Sequence, residues 1–283
     1  MKKNRSAVGF LLLLPSLLGI FLFFVLPFFG SLYYTFTQGV ADPKFVGLLN
    51  FRELSGNPVF RRAVGNTIWF LLIAIPLALG LALLLSVVAA KRPFRWQRWA
   101  LLLPMVIPAA SLSLGWQRFW GENGLVNRGL ASAGLPAVDL LHGDGAFPLL
   151  ILLYLLKNVG YLGVILTSAI LSQPAEYRES FRLESDSELR YIRAILLPLI
   201  SPTLLITTVV AVMNYFLLFR DTYLLYGNDP PAQVYILQHF MNNNFYKLNY
   251  QRLSTAAFLA VLTMTALIAV VLVVQRKAVR RVG

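Results

Sequence analysis

Six stretches of this chain are almost free of charge, and they limit what it can fold into more than any other feature. No Asp, Glu, Lys or Arg occurs from Ser6 to Ala41, Ala63 to Ala90, Trp99 to Gln117, Ala194 to Phe219 or Leu253 to Gln275, and Gly145 to Ala175 is interrupted only by Lys157. A helix needs about 20 predominantly apolar residues to cross roughly 30 Å of hydrocarbon at about 1.5 Å per residue. Each stretch can hold one, and inside lipid such runs can pair their backbone groups only as helices. The predicted spans are 8–34, 64–90, 100–117, 147–171, 194–219 and 254–275. Only 13% of the residues are charged and 58% are hydrophobic, against about 25% charged in soluble domains. The expected fold class is therefore all-α, a polytopic membrane protein with six transmembrane helices. The opening MKKNRSAVGFLLLLP has a basic start like a signal peptide, but its apolar region is too long and no small-x-small site follows, so it reads as a retained first helix. There is no cysteine, which excludes a disulfide framework, thiol chemistry and a Cys-based metal site.

Six spans place both termini on one side. That side carries Lys2, Lys3, Arg5, Lys91, Arg92, Arg95, Arg98, Arg178, Arg182, Arg190, Arg193, Arg276, Lys277, Arg280 and Arg281, fifteen of the 25 basic residues, against nine on the other. The bias predicts that both termini are cytoplasmic. It also accounts for the net charge of +13. The surplus lies in short clusters at helix ends, where it sets topology and meets anionic lipid, and no basic face or nucleic-acid module is visible. The expected surroundings are a lipid bilayer, with no nucleic acid as partner.

Against this background the segment 175–192, AEYRESFRLESDSELRYI, stands out with eight charges in eighteen residues. It reads as two short helices. Pro174 suits a first turn with Glu176 near the positive end of the dipole. Tyr177 and Phe181 form an aromatic ridge at i,i+4. Ser185 to Glu188 has a capping-box pattern, and Asp186 and Arg190 lie four apart in the favourable order. The second helix would run directly into the fifth span. A solvated linker needs neither ridge nor caps, whereas a surface receiving a push from a soluble partner does.

The longer stretch QPAEYRESFRLESDSELRYIRAILLPLISP resembles the "EAA" loop of binding-protein-dependent ABC importer permeases, in particular the maltose and glycerol-phosphate type of carbohydrate permease. The pattern is roughly P-x-E-x-x-E-A-A-x-x-D-G-A-S followed by I-x-L-P, and the matching positions are Pro174, Glu176, Glu179, Ser187, Ile195, Leu197 and Pro198. Ser180 and Phe181 replace the two alanines, Glu184 the Asp, Ser185 the Gly and Asp186 the last Ala. Where the family has glycine for a sharp turn, Ser185 is expected to turn differently, with its hydroxyl as a cap. FVGLLNFREL at 45–54, GNTIWF at 65–70, LLLPMVIPA at 101–109 and GENGLVN at 121–127 are similar to other segments of the family in the same order.

The resemblance implies a type I ABC importer permease fold with cytoplasmic coupling helices. It implies a first helix and external segment at 1–62 and a five-helix core at 63–283 with the loop at 173–193. The implied partners are a second permease, two ATPase subunits and an extracytoplasmic solute-binding protein. The chain itself is expected to bind no cofactor and to catalyse no reaction. It has no G-x-x-x-x-G-K-[ST] loop, so ATP and magnesium would sit on the ATPase. The implied ATPase-docking residues are Glu176, Tyr177, Arg178, Glu179, Ser180, Phe181, Arg182, Glu184, Ser185 and Asp186, and the implied cargo is a sugar or oligosaccharide.

Within the spans the polar candidates are few. Lys157 is the lone charge, and two readings stay open. It lines a hydrated path together with Asn158 and Tyr161, or it snorkels or meets a backbone carbonyl. Asn214 and Tyr215 either bond sugar hydroxyls or bridge neighbouring helices. No Asp or Glu falls inside the predicted spans, and His142 and His239 fall in predicted external loops. Proton relays normally need such groups, which disfavours the alternative of an ion-coupled secondary transporter. The lack of a catalytic cluster disfavours a membrane enzyme. The spacing of Val234, Leu237 and Met241 suggests a further interfacial helix on the outside.

Overall fold

The computed structural model describes residues 3–39, 42–91 and 95–280. Lys2, Arg92 and Arg281, counted above for orientation, lie outside these residues. Five helical stretches among the described residues are long and apolar enough to cross a membrane: Leu11–Phe36, Pro58–Lys91, Ala146–Leu171, Glu188–Tyr226 and Tyr250–Val270. The backbone groups into two compact units, one made of 1–61 with 240–263 and the other of 62–239 with 264–283.

In the first unit α1 (Lys3–Ile20) passes through a π-turn (Phe21–Val25) into α2 (Leu26–Phe36). The π-turn ends two residues before Pro27, which has no N–H and would clash with an α-helical carbonyl four residues back. The Leu26 N–H reaches the Phe21 carbonyl instead, relieving the turn. After α2 come the paired strands β1 (Thr37–Gln38) and β2 (Lys44–Phe45) and then α3 (Leu49–Gly56). Asn50, inside the FVGLLNF stretch, ties these together. Its Nδ2 donates to the Thr35 and Thr37 carbonyls at 2.9 and 3.0 Å and its Oδ1 accepts from Gln38 Nε2 at 3.1 Å. Phe36 packs against Phe45, Phe51 and Phe258.

The second unit begins in α4 (Pro58–Lys91), whose Phe70, Ala74, Ala78 and Ala82 recur every four residues and are all fully buried. This small-residue stripe brings the helix close to α8 (Ala146–Leu171). A Cβ on Gly163 of α8 would sit 3.6 Å from the Ala82 carbonyl, in ordinary contact. At Gly160 the approach is closer. A Cβ there would fall 1.9 Å from the Leu101 carbonyl of α5 (Arg95–Val106). The centre of the unit is an aromatic trio, with Phe70 5.4 Å from Tyr154 and 5.1 Å from Tyr215. Tyr154 Oη donates to the Ala211 carbonyl at 2.7 Å, holding α8 to α11 (Leu197–Tyr226).

Two expectations are corrected here. The stretch 100–117 is not one helix but two twelve-residue helices, α5 and α6 (Ala109–Trp120), parted at Ile107–Pro108. Pro108 takes φ −57° and ψ 140° and offers its carbonyl to the Leu112 N–H, so the chain extends for one residue and restarts. Second, His239 is not in a loop but in α12 (Leu237–Tyr246), where it is fully buried against Phe219 and Tyr235. The helix suggested by Val234, Leu237 and Met241 begins at Leu237, and both Val234 and Leu237 are buried. The remaining helices are α7 (Leu125–Ser132), α9 (Glu176–Glu184), α10 (Glu188–Tyr191) and α13 (Tyr250–Arg280).

Candidate functional site

The charged segment forms two helices, as its sequence suggests. α9 carries Glu176 and Glu179 in its first turn and Arg182 in its last, matching the helix dipole at both ends. It stops at Ser185, which is extended (φ −161°, ψ 137°), a backbone state any residue adopts, so glycine is not required in this loop. The Ser185 hydroxyl accepts from the Ser187 N–H at 3.2 Å, as the expected local cap. The helix start lies later than the capping-box reading put it. Ser187 is the N-cap of α10, accepting from the Arg190 N–H at 3.4 Å, and Asp186 precedes that helix, so its spacing to Arg190 is not helical. Glu188 does not reach back to a cap. It binds Arg178 Nη2 at 3.0 Å through both oxygens and Lys91 Nζ at 3.3 Å.

The aromatic ridge also divides. Phe181 turns inward, 5.6 Å from Tyr191, and Arg178 lies over the same ring at 5.8 Å. Tyr177 remains 47% exposed and Leu183 91%, an unusual outlay of apolar surface on a short charged helix. Glu176, Glu179, Ser180, Arg182, Glu184 and Asp186 are exposed as well. α10 continues through a second π-turn (Ile192–Leu196) into α11 without a break, again ending just before a Leu-Pro pair, Leu197-Pro198. α9 is therefore one short turn away from a rod of 39 residues.

The second cluster lies between α8 and α11. Lys157 neither snorkels nor meets a carbonyl; its Nζ pairs with Asp221 Oδ2 at 2.7 Å, with side chains 13% and 4% exposed. Asp221 falls two residues beyond the apolar window ending at Phe219, but α11 runs on to Tyr226 and carries it inside. The absence of acids from the spans therefore does not hold, and neither does the argument against ion coupling drawn from it. The overlooked signal was Lys157 itself, because a buried ammonium requires a counter-charge. Beside the pair, Asn214 Nδ2 donates to Asn158 Oδ1 at 2.8 Å, and Asn158 Nδ2 donates to the Tyr154 carbonyl at 2.8 Å. Met105, Lys157, Asn158, Asn214, Arg220 and Asp221 border a cavity of about 90 Å³.

Two path candidates lie elsewhere. Tyr161 packs on the apolar core. Tyr215 is fully buried, with its hydroxyl 2.9 Å from Thr67 Oγ1 and 3.2 Å from Gln238 Oε1, so it bridges elements and does not face a path. Thr67 Oγ1 also accepts from the Leu237 N–H at 3.0 Å. Next to this network burial pushes the His239 imidazole down to about 4. Its two nitrogens have no hydrogen-bond partner among the described residues.

A family model described as "Binding-protein-dependent transport system inner membrane component" matches residues 83–283, which include both clusters. The chain belongs to that family. Among relatives of this inner membrane component, the "Probable ABC transporter permease protein YesP" of Bacillus subtilis (strain 168) is 25% identical, over 95% of this chain and 92% of the relative. The "Trehalose/maltose transport system permease protein MalF" of Thermococcus litoralis is 22% identical, over 94% and 93%. One chain in the crystal structure of a bacterial alginate ABC transporter, in complex with an alginate pentasaccharide-bound periplasmic protein, shares the fold with a TM-score of 0.78. The match covers 98% of this chain and 96% of that one at 20% identity. The inner membrane component is thus an all-α, multi-pass permease, and the loop and polar cluster are features of a transport subunit.

Proposed function

We propose that this permease carries a sugar or oligosaccharide and that α9 is the part that docks on a separate ATPase. Its complex would hold a second permease, two ATPase subunits that bind ATP and magnesium, and an extracytoplasmic binding protein. The loop and both termini would face the cytoplasm. One observation carries the reading. α9 offers exposed Tyr177, Leu183, Glu179 and Ser180 to solvent, and it is joined through α10 to a 39-residue rod long and apolar enough to cross a membrane. A partner that moves α9 moves α11 with it. The trehalose/maltose relative and the alginate transporter support a saccharide cargo, and the half-buried Asn214, held by Asn158 at the edge of the cavity beside Lys157, carries an amide of the kind that binds hydroxyl-rich solutes. Lys157 and Asn158 from α8 and Asn214 from α11 are the proposed path residues, while Tyr161 and Tyr215 support them from behind.

The chain contains no cysteine, so a single substitution reports cleanly. Ser180→Cys should form a disulfide with a cysteine placed in the groove of the co-purified ATPase. Glu179→Ala should weaken that association while leaving membrane insertion intact. Normal ATPase association in Glu179→Ala, with no crosslink from Ser180→Cys, would remove the docking role.

A further inference from the structure

α9 touches the rest of the second unit in two ways that differ physically. Below it lies an apolar cluster of Ala169, Tyr191, Leu196 and Ile200, with Phe181, Val87 and Ile170 packed on it. Above that cluster a cavity of about 270 Å³ opens, bordered by Val87, Ala90, Pro174, Arg178, Glu188 and Tyr191. Close-packed side chains transmit a displacement and a void does not. Across the void the three elements meet through a single carboxylate. Glu188, the first residue of α10, binds Arg178 of α9 through both oxygens and Lys91, the last residue of α4. One anion thus neutralises two cations on two other helices, and it stands where the α10–α11 rod begins.

We propose that Glu188 is a positioning residue that closes the open, polar side of this contact and fixes the spacing of α9, the start of the α10–α11 rod and the end of α4, which the apolar cluster joins only on its other side, so that the three move as one body. The clamp rests on the reading that α9 docks on an ATPase, and it adds α4 to the parts that docking moves. The side chains of Lys91, Glu188 and Arg178 are 44%, 38% and 34% exposed, so the clamp is open to screening by salt.

The test is made on the assembled complex in bilayers, with cysteine-free partners. Spin labels are placed through Ala175→Cys at the N-cap of α9 with Val88→Cys on α4, and through Ala175→Cys with Leu189→Cys on α10. All three positions are exposed. Pulsed EPR distances are compared without nucleotide and after trapping with ATP and vanadate. In the parent, both distances keep their mean and width on trapping. In Glu188→Gln both shift or broaden, and in Lys91→Gln only the α9–α4 distance does. Raising salt to about 1 M, where the screening length falls to about 3 Å, moves the parent toward the Glu188→Gln behaviour. If the parent's α9–α4 distance changes on trapping, or Glu188→Gln leaves both distances as in the parent, the clamp is refuted. Should Glu188→Gln not assemble, Lys91→Gln, which keeps the Arg178–Glu188 pair, carries the same decision through the α9–α4 distance alone. A Ser180→Cys crosslink to the ATPase, made in parallel, separates the two failures. Without the crosslink the docking reading fails, and with it present but distances indifferent to Glu188 the clamp fails.

Discussion

At the scale of single residues, cost is concentrated in polar groups placed where water is absent. Lys157 and Asp221 form a buried pair at 2.7 Å, and Asp221 Oδ1 has no further partner among the described residues. Removing one partner of such a pair costs about 3–5 kcal/mol, because the other charge is left alone, whereas replacing both by apolar groups is close to neutral. Asp221→Asn should therefore lower the melting temperature of the detergent-solubilised protein sharply, while Lys157→Met with Asp221→Leu should restore most of it. Equal losses in the two variants would show that the pair does not act as one unit. His239 gives a pH test outside the spans. Its folded pKa, about 4, lies below the ordinary 6.5 because burial opposes the imidazolium. The unfolded chain binds the extra proton first as pH falls, so the neutral ring's stability is intact above about 6.5 and is lost between about 6.5 and 4. The loss amounts to about 3 kcal/mol, taking about 1.4 kcal/mol per unit. His239→Phe should flatten the melting curve against pH across that window. An unchanged slope would place the titration elsewhere.

At the scale of elements, backbone approach sets the packing, and here two glycines on one helix make opposite predictions. Gly160→Ala drives a Cβ to 1.9 Å from the Leu101 carbonyl, a backbone atom that cannot rotate away. Overpacking costs about 1–3 kcal/mol, and this substitution belongs at or above the top of that range, with α5 forced off α8. Gly163→Ala meets its nearest atom at 3.6 Å, and the gain in helix propensity, up to about 1 kcal/mol, offsets any crowding. Thermal melts of the two variants check the contrast. Such distances cannot be read from sequence, which explains what sequence analysis caught and missed. Charge-free windows and helix caps are local, so most spans and both loop helices were legible. The inward turn of Phe181 depends on its neighbour Tyr191, whereas the break at Pro108 and the cap at Ser187 are local features that the sequence reading passed over in favour of a longer window and an earlier serine. Ser185 fits the loop without glycine's freedom because the backbone there is extended. The Lys157–Asp221 pair was missed because the window was closed at its last apolar residue and not at the end of the helix.

At the scale of the whole molecule, the proposed orientation rests on positive charge collected at alternate ends of the spans. The natural absence of cysteine makes it directly testable. Ser180→Cys should react with an impermeant maleimide in inside-out vesicles stripped of the ATPase and stay protected in intact spheroplasts. Leu135→Cys, at a position 53% exposed, should show the reverse. Labelling of both from one side would overturn the topology while leaving the fold untouched.

The π-turn at Ile192–Leu196 gives the rod one residue more than an unbroken helix would hold there, closed by the Leu197 N–H on the Ile192 carbonyl. Each residue of a helix turns it by about 100°. Absorbed in the wider turn, the extra residue leaves the phase downstream unchanged, so deleting one residue there would restore α-helix and keep Asp221 on the side that faces Lys157, whereas a deletion elsewhere in the rod would swing it off that side through such an angle. The spacing between the outward loop and the inward charge is thus a matter of phase, which the local insertion leaves intact. A chain of this lineage built without the extra residue would seat its counter-ion one place earlier along the sequence.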